Sequence, residues 1–128
     1  MKDELENITK KLSVQFVALF GSQAKGHATE RSDYDVAYQA ASPLTLAASG
    51  ELASTIAAFL EISEDKIDLV NVDAGSPLFQ FQVAAHGRLL CGRQRDFMNF
   101  QLLAWKRYQH TAKFRRFREQ ALAQKYGA

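Results

Sequence analysis

Two strand-like segments joined through a glycine constrain this chain most, because the second segment carries a pair of acidic residues. The apolar segment Val14–Phe20 ends at Gly21, and Asp33 and Asp35 accompany an apolar-alternating segment, Tyr34–Tyr38. Side chains two apart on a strand point to the same face of the sheet. The two carboxylates are therefore predicted to converge, and converging carboxylates repel each other unless a cation lies between them.

The glycine that ends the first strand begins a candidate phosphate-binding turn. Glycine lets the backbone approach a ligand closely, and a short helix predicted over residues 22–25 would present free backbone N–H groups at its start. The Ser22 hydroxyl adds a hydrogen-bond donor. A Gly-Ser pair alone is typical of ordinary turns, so this interpretation depends on the acidic residues that follow.

A third acidic residue, Asp68, interrupts the apolar segment Ile67–Val72. If that strand pairs beside the strand of Asp33 and Asp35, three carboxylates meet on one face, whereas an Asp-x-Asp pair alone is also common on exposed strands. Oxygen ligands of this kind suit Mg²⁺, which shares its coordination shell with substrate phosphates. Two such ions can align an attacking and a leaving oxygen, so the pattern predicts phosphoryl chemistry on a nucleoside triphosphate. Asp33 and Asp35 would bridge both ions, and Asp68 would hold the ion on the acceptor side and accept the acceptor's proton.

Length and composition predict one cytoplasmic domain, and the mixture of predicted strands and helices gives the α/β class with a small mixed β-sheet. The chain has 128 residues, no apolar run long enough to span a bilayer, and an acidic start unlike a signal peptide. Its one cysteine, Cys91, excludes an internal disulfide and is expected to be buried on a strand. Helices are predicted over Asp3–Leu12, Pro43–Leu60, Leu78–His86 (after Pro77) and Asp96–Lys125, and strands over Val14–Phe20, Tyr34–Tyr38, Ile67–Val72 and Arg88–Cys91.

The residues Gly21-Ser22, a ten-residue spacing and Asp33-Tyr34-Asp35 together resemble the signature of the DNA polymerase β-like nucleotidyltransferase superfamily. Leu19–Gly26 and Ser32–Val36 look like its minimal branch, which includes the MntA-type antitoxins that accompany HEPN-domain ribonuclease toxins. The resemblance implies a polymerase β palm-like fold, with the small mixed β-sheet flanked by helices, in a single minimal nucleotidyltransferase domain. Its core would span about residues 12–92, and a long basic C-terminal helix would span about residues 94–126.

For the MntA-type branch, the resemblance implies two Mg²⁺ ions and the transfer of AMP from ATP to a tyrosine hydroxyl of a partner HEPN toxin, which inactivates the toxin. Two rivals remain: a non-catalytic antitoxin that neutralises by occlusion, and a nucleotidyltransferase that acts on a small molecule or RNA. The resemblance assigns catalysis and metal binding to Asp33, Asp35 and Asp68, and nucleotide binding to Gly21, Ser22 and Lys25.

The two halves of the chain differ in charge. Residues 1–75 hold 6 Lys/Arg and 12 Asp/Glu, and residues 76–128 hold 10 Lys/Arg and 2 Asp/Glu. Aromatic residues are interleaved with the basic ones near the C-terminal end. This segment is an RNA-contacting helix, a docking helix for an acidic protein surface with Phe114 and Phe117 as anchors, or a solvated basic face. Docking is the favoured functional interpretation, because Arg and aromatic residues dominate interface energies.

Overall fold

A computed structural model describes residues 2–21 and 33–126, apart from the side chains of residues 113, 125 and 126. Four strands form one mixed sheet, and helices pack on both of its faces. In chain order the elements are α1 (Lys2–Lys11), β1 (Val14–Phe20), β2 (Tyr34–Ala40), α2 (Leu46–Leu60), β3 (Ile67–Asn71), α3 (Pro77–His86), β4 (Arg88–Gly92), α4 (Gln94–His110) and α5 (Ala112–Tyr126), with 3₁₀ turns at Glu64–Lys66 and Val72–Ala74.

The sheet has the strand order β3-β2-β1-β4. Strand β1 is antiparallel to both of its neighbours, β2 and β4, whereas β2 and β3 are parallel. Parallel strands need a crossover connection, and here α2 lies between β2 and β3 in the sequence. The end of β1 therefore lies next to the start of β2, and the start of β2 lies next to the start of β3.

Alternation along β1 divides the core between the two faces of the sheet. Val17 and Leu19 pack on the face covered by α1 and α2, together with Leu5 and Ile56. The other face packs against α3 and α4, and there Phe16 lies 5.1 Å from Phe97 and 5.2 Å from Phe100 between ring centroids. Cys91 is buried on β4, which confirms the prediction for the single cysteine.

Most element boundaries agree with the sequence, but the start of α2 does not. The prediction that Pro43 opens this helix is wrong, because α2 begins at Leu46. Thr45 caps it instead, and its side-chain oxygen accepts a hydrogen bond from the backbone N–H of Ala48 at 3.1 Å. Such a cap satisfies one of the donors that a helix N-terminus leaves without an intrahelical partner.

The predicted long C-terminal helix is present and is interrupted once, at Thr111, between α4 and α5. The Thr111 hydroxyl donates to the backbone carbonyl of Tyr108 at 2.9 Å, and the Arg115 guanidinium donates to the same oxygen at 3.0 Å. Side-chain bonds of this kind compete with the helical backbone pattern. Within the part of the chain that the structure describes, no helix is both long and apolar enough to cross a membrane.

Candidate active site

Three acidic residues meet at one end of the sheet. Asp35 and Asp68 are register partners on the parallel strands β2 and β3, so their side chains point to the same face. Asp33 lies just before β2, two positions from Asp35. Ala37, the next residue on the Asp35 side of β2, belongs to the core beneath α3 and α4, which identifies the face. The prediction that the strand of Asp68 pairs beside the strand of Asp33 and Asp35 is confirmed.

The electrostatics of this cluster are unfavourable in the absence of a cation. Asp35 is half-buried, whereas Asp33 and Asp68 are exposed. Desolvation by burial and the nearby carboxylates of Asp68 and Asp33 all raise the pKa of Asp35 above its ordinary value. Burial and like charge both disfavour the ionised form of a carboxyl group. The cluster therefore keeps a local excess of negative charge that a bound cation would offset.

Gly21 allows the backbone and the Asp35 carboxylate to come unusually close. It follows Phe20, the register partner of Asp35, and has a φ of +77°. A Cβ atom at position 21 would collide with the Asp35 carboxylate oxygen Oδ2. Both observations favour glycine at position 21, since L side chains rarely adopt positive φ and an added Cβ would force the Asp35 side chain to shift. Ser22 and Lys25, the other predicted nucleotide-binding residues, lie outside the described residues.

A small cleft of about 310 Å³ opens beside this glycine. Phe20, Gly21 and Asp35 line one side, and Gln82 and His86 of α3 line the other. The sequence predicted His86 only as a helix-end residue and did not single out Gln82. Residues four apart on a helix share a face, so the sequence places the two together. Only the packing of α3 against the sheet shows that the face with Gln82 and His86 is directed at Asp35.

The cluster differs from a preformed metal cage. Among residues 2–21 and 33–126, no group of three or more His, Cys, Asp or Glu side chains is close enough to hold a metal ion. The carboxylates interact through space, as the raised pKa of Asp35 indicates, but they do not share one coordination point. Mg²⁺ typically binds through one or two carboxylates together with waters and substrate phosphates. Asp33, Asp35 and Asp68 thus suit a magnesium–triphosphate complex better than a free metal ion.

The description "Polymerase beta, Nucleotidyltransferase" belongs to a family model that matches residues 3–96 of this chain. The chain belongs to this nucleotidyltransferase family. Over 105 residues, the nucleotidyltransferase is 35% identical to the protein adenylyltransferase MntA of Shewanella oneidensis, an alignment that covers 82% of this chain and 71% of the relative. The residues that suggested the family from sequence therefore identified it correctly.

Two solved structures similar to this nucleotidyltransferase are toxin–antitoxin complexes. One, a toxin–antitoxin crystal structure with AMP-PNP, matches at a TM-score of 0.72 and 29% identity, covering 95% of this chain and 98% of the other. Another, the tri-AMPylated Shewanella oneidensis HEPN toxin in complex with MNT antitoxin, matches at a TM-score of 0.62 and 30% identity, covering 96% of this chain and 100% of the other. The family model ends at residue 96, whereas these matches extend into the helices beyond it.

Proposed function

We propose that this nucleotidyltransferase is an antitoxin that transfers AMP from ATP to a tyrosine hydroxyl of a partner HEPN ribonuclease toxin and thereby inactivates it. The observation that carries the proposal is the pairing of Asp35 and Asp68 on adjacent strands beside Gly21. An adenylyltransferase relative, an AMP-PNP-bound structure and a tri-AMPylated toxin support adenylyl transfer and ATP as the donor. A donor of this kind also favours a cytoplasmic site of action.

Asp33, Asp35 and Asp68 would hold two Mg²⁺ ions, which would neutralise the triphosphate and align the reacting oxygens. The backbone at Gly21 and the Ser22 hydroxyl hold the β and γ phosphates, which leaves the α phosphorus open to attack. A phenol ionises only near pH 10, so its proton needs an acceptor during attack. Asp68 takes that proton as the phenol oxygen bonds to the α phosphorus. The bond from the α phosphorus to the bridging oxygen breaks, and pyrophosphate leaves.

The position of Asp68 favours an acceptor on another protein. Strand β3 is an edge of the sheet, and Asp68 is exposed on it. A tyrosine on the surface of a second protein reaches this carboxylate without displacing any element of the sheet. Most of the rate enhancement then comes from positioning and charge neutralisation, as in other phosphoryl transfers.

Label transfer from α-³²P-ATP to the purified partner toxin tests the proposal. Wild-type protein with Mg²⁺ is expected to label the toxin, and the Asp33→Ala and Asp35→Ala variants are expected to leave it unlabelled. The matched control is Glu64→Ala, which removes an exposed carboxylate from the turn before β3. An unlabelled toxin with wild-type protein would contradict the proposal. Label in a small molecule or RNA would favour a different acceptor, and toxin neutralisation by Asp35→Ala would favour occlusion.

A further inference from the structure

Helix α5 is exposed along almost its whole length. None of its described side chains is fully buried, and Phe114 and Phe117 are 73% and 72% exposed. A helix of about 15 residues is marginally stable in water on its own, and packing of an apolar face normally stabilises helices in proteins. Large exposed rings on such a helix therefore indicate a surface that another molecule covers.

One arginine of this helix fixes its direction relative to the rest of the molecule. The Arg115 guanidinium carbon lies 3.8 Å from the centroid of the Tyr108 ring, and that ring stacks on Phe81 with centroids 4.3 Å apart. Arg115 also donates to the backbone carbonyl of Tyr108 at 3.0 Å. These contacts occupy Arg115 within the molecule, so it joins α5 to α4 and α3 and is not available to a partner.

The two exposed rings form a separate face of α5. Residues three apart on a helix are neighbours, and Phe114 and Phe117 border a shallow apolar groove together with Arg116 and Gln120. We define these four residues as the α5 face. Arginine and aromatic residues, Phe among them, are enriched in protein–protein interfaces, and arginine is also enriched among the residues that contribute most to affinity. The α5 face therefore has the composition of a protein-binding site.

The charge of α5 limits what it can bind. The helix contains one acidic residue, Glu119, and five basic ones, which are Lys113, Arg115, Arg116, Arg118 and Lys125. A surface of this sign attracts an acidic partner and repels a second copy of the same helix. The occupant of the α5 face must combine acidic side chains with an apolar centre that receives the two rings.

The matches to solved toxin–antitoxin structures extend beyond the general nucleotidyltransferase model. The general nucleotidyltransferase model stops at residue 96, before α5 begins. The matched toxin–antitoxin structures cover 95% and 96% of this chain, which leaves about a twentieth of it unmatched. Most of the region beyond the general model is therefore shared with proteins solved together with a toxin.

We infer that the α5 face docks an acidic, apolar-centred patch of the same toxin that the carboxylate site modifies. This inference rests on the proposed function for the identity of the partner. Docking at α5 holds the toxin near the site, which raises the effective concentration of the acceptor hydroxyl. The α5 face then determines which protein is modified, and the carboxylates perform the reaction.

A double variant, Phe114→Ala/Phe117→Ala, tests the inference. Because both rings are exposed, their removal leaves the core intact, and circular dichroism checks that the fold is unchanged. We expect the Kd for the purified toxin and the KM for toxin in AMP transfer both to rise at least about 10-fold, with kcat at saturating toxin unchanged. The matched control, Leu46→Ala, removes a side chain that is 91% exposed on α2 and is expected to change neither constant.

A charge reversal gives a second, independent test. Arg116→Glu on the α5 face is expected to weaken toxin binding and to make the affinity less dependent on salt concentration. Arg95→Glu, the same change at the start of α4, is expected to leave both the affinity and its dependence on salt unchanged. Unchanged Kd and KM in the double variant would overturn the docking inference. The same holds if that variant loses affinity for a single-stranded RNA oligonucleotide while its toxin affinity is unchanged. Wild-type protein that binds the toxin through this face without transferring AMP would refute the proposed function alone.

Discussion

At the scale of single residues, the surroundings of Asp35 disfavour its ionised carboxylate and so lower the stability of the fold. Burial and two neighbouring carboxylates raise its pKa, so the folded chain binds this proton more tightly than the unfolded chain does. The ionised carboxylate therefore destabilises the fold above the raised pKa, and the penalty is relieved as the pH falls through that pKa. Titratable groups whose pKa is shifted by burial and neighbouring charges are characteristic of functional sites.

Replacing Asp35 with asparagine is expected to raise the stability of the fold and to lower the activity. In metal-free buffer at pH 7, Asp35→Asn should melt at a higher temperature than the wild type, because it removes the repulsion by Asp68 and Asp33. The difference should shrink as the pH is lowered from 7 through the raised pKa of the wild-type carboxyl. AMP transfer should fall at least about 100-fold, since a metal-holding carboxylate is lost. Thermal melts across this pH range, with Glu64→Gln as the control, check the expectation, and a less stable variant at pH 7 would contradict it.

Replacing Gly21 with alanine is expected to damage both the fold and the site. The added methyl group meets the Asp35 carboxylate at a backbone position of φ +77°, so we expect a loss of about 1–3 kcal/mol in the free energy of unfolding and loss of AMP transfer. Gly50 is the matched control. It lies in α2 with open space around it, and Gly50→Ala should stabilise the protein by about 0.5–1 kcal/mol. Urea denaturation of both variants measures the contrast, and equal effects of the two substitutions would contradict this account of Gly21.

At the scale of the elements, the sequence predicted best where one local pattern dominates. Strand β1 has the predicted bounds Val14–Phe20, because an apolar run ends at a glycine. The start of α2 was misplaced, because the hydroxyl of Thr45 caps the helix whereas Pro43 is not part of it. The interruption at Thr111 depends on a side chain reaching back to Tyr108, a contact that helical periodicity does not reveal.

The candidate site shows the same difference between local patterns and packing. The meeting of Asp35 with Asp68 was predictable, because an acidic residue that interrupts an apolar strand indicates a functional role. Pairing of the two strands brings the carboxylates together. The contribution of Gln82 and His86 was not, because it depends on how α3 packs against the sheet. The assignment of Ser22 and Lys25 to phosphate binding stays a prediction.

Filling the cleft from α3 is expected to abolish nucleotide binding without unfolding the protein. Gln82→Trp places a bulky ring in a space of about 310 Å³ beside Asp35, whereas Ala85→Trp places the same ring at another exposed position of α3. We expect the first variant to lose most of its affinity for Mg²⁺-AMP-PNP and the second to keep it. Isothermal titration calorimetry compares them, and full affinity in Gln82→Trp would show that the nucleotide binds elsewhere.

At the scale of the whole molecule, the sheet brings the acidic residues together, and the last helix carries an excess of positive charge. The acidic cluster is assembled by β2 and β3, at the end of the sheet where β1 also finishes. Residues 76–128 supply most of the basic side chains, and Arg116 and Arg118 of α5 are exposed. This separation of charge is what the proposed function requires, with a metal–nucleotide at one place and an acidic protein at another.

Stabilisation by ligands is expected to require metal and nucleotide together. Because Mg²⁺ typically binds through one or two carboxylates together with waters and substrate phosphates, Mg²⁺ alone should raise the melting temperature little. Mg²⁺ with AMP-PNP at about 100 times its Kd should add about 2.7 kcal/mol to the free energy of unfolding. Differential scanning fluorimetry with each ligand alone and with both measures this, and Asp35→Asn should lose the combined effect. Full stabilisation by AMP-PNP in excess chelator would contradict the role given to the carboxylates.

The most direct measurement of the central claim is the intact mass of the partner toxin after co-expression with this protein. With the wild-type chain, the toxin mass should increase by one or more whole AMP units, and with Asp35→Asn it should remain that of the unmodified toxin. Toxin that carries AMP with both chains, or with neither, would contradict the assignment of AMP transfer to the three carboxylates.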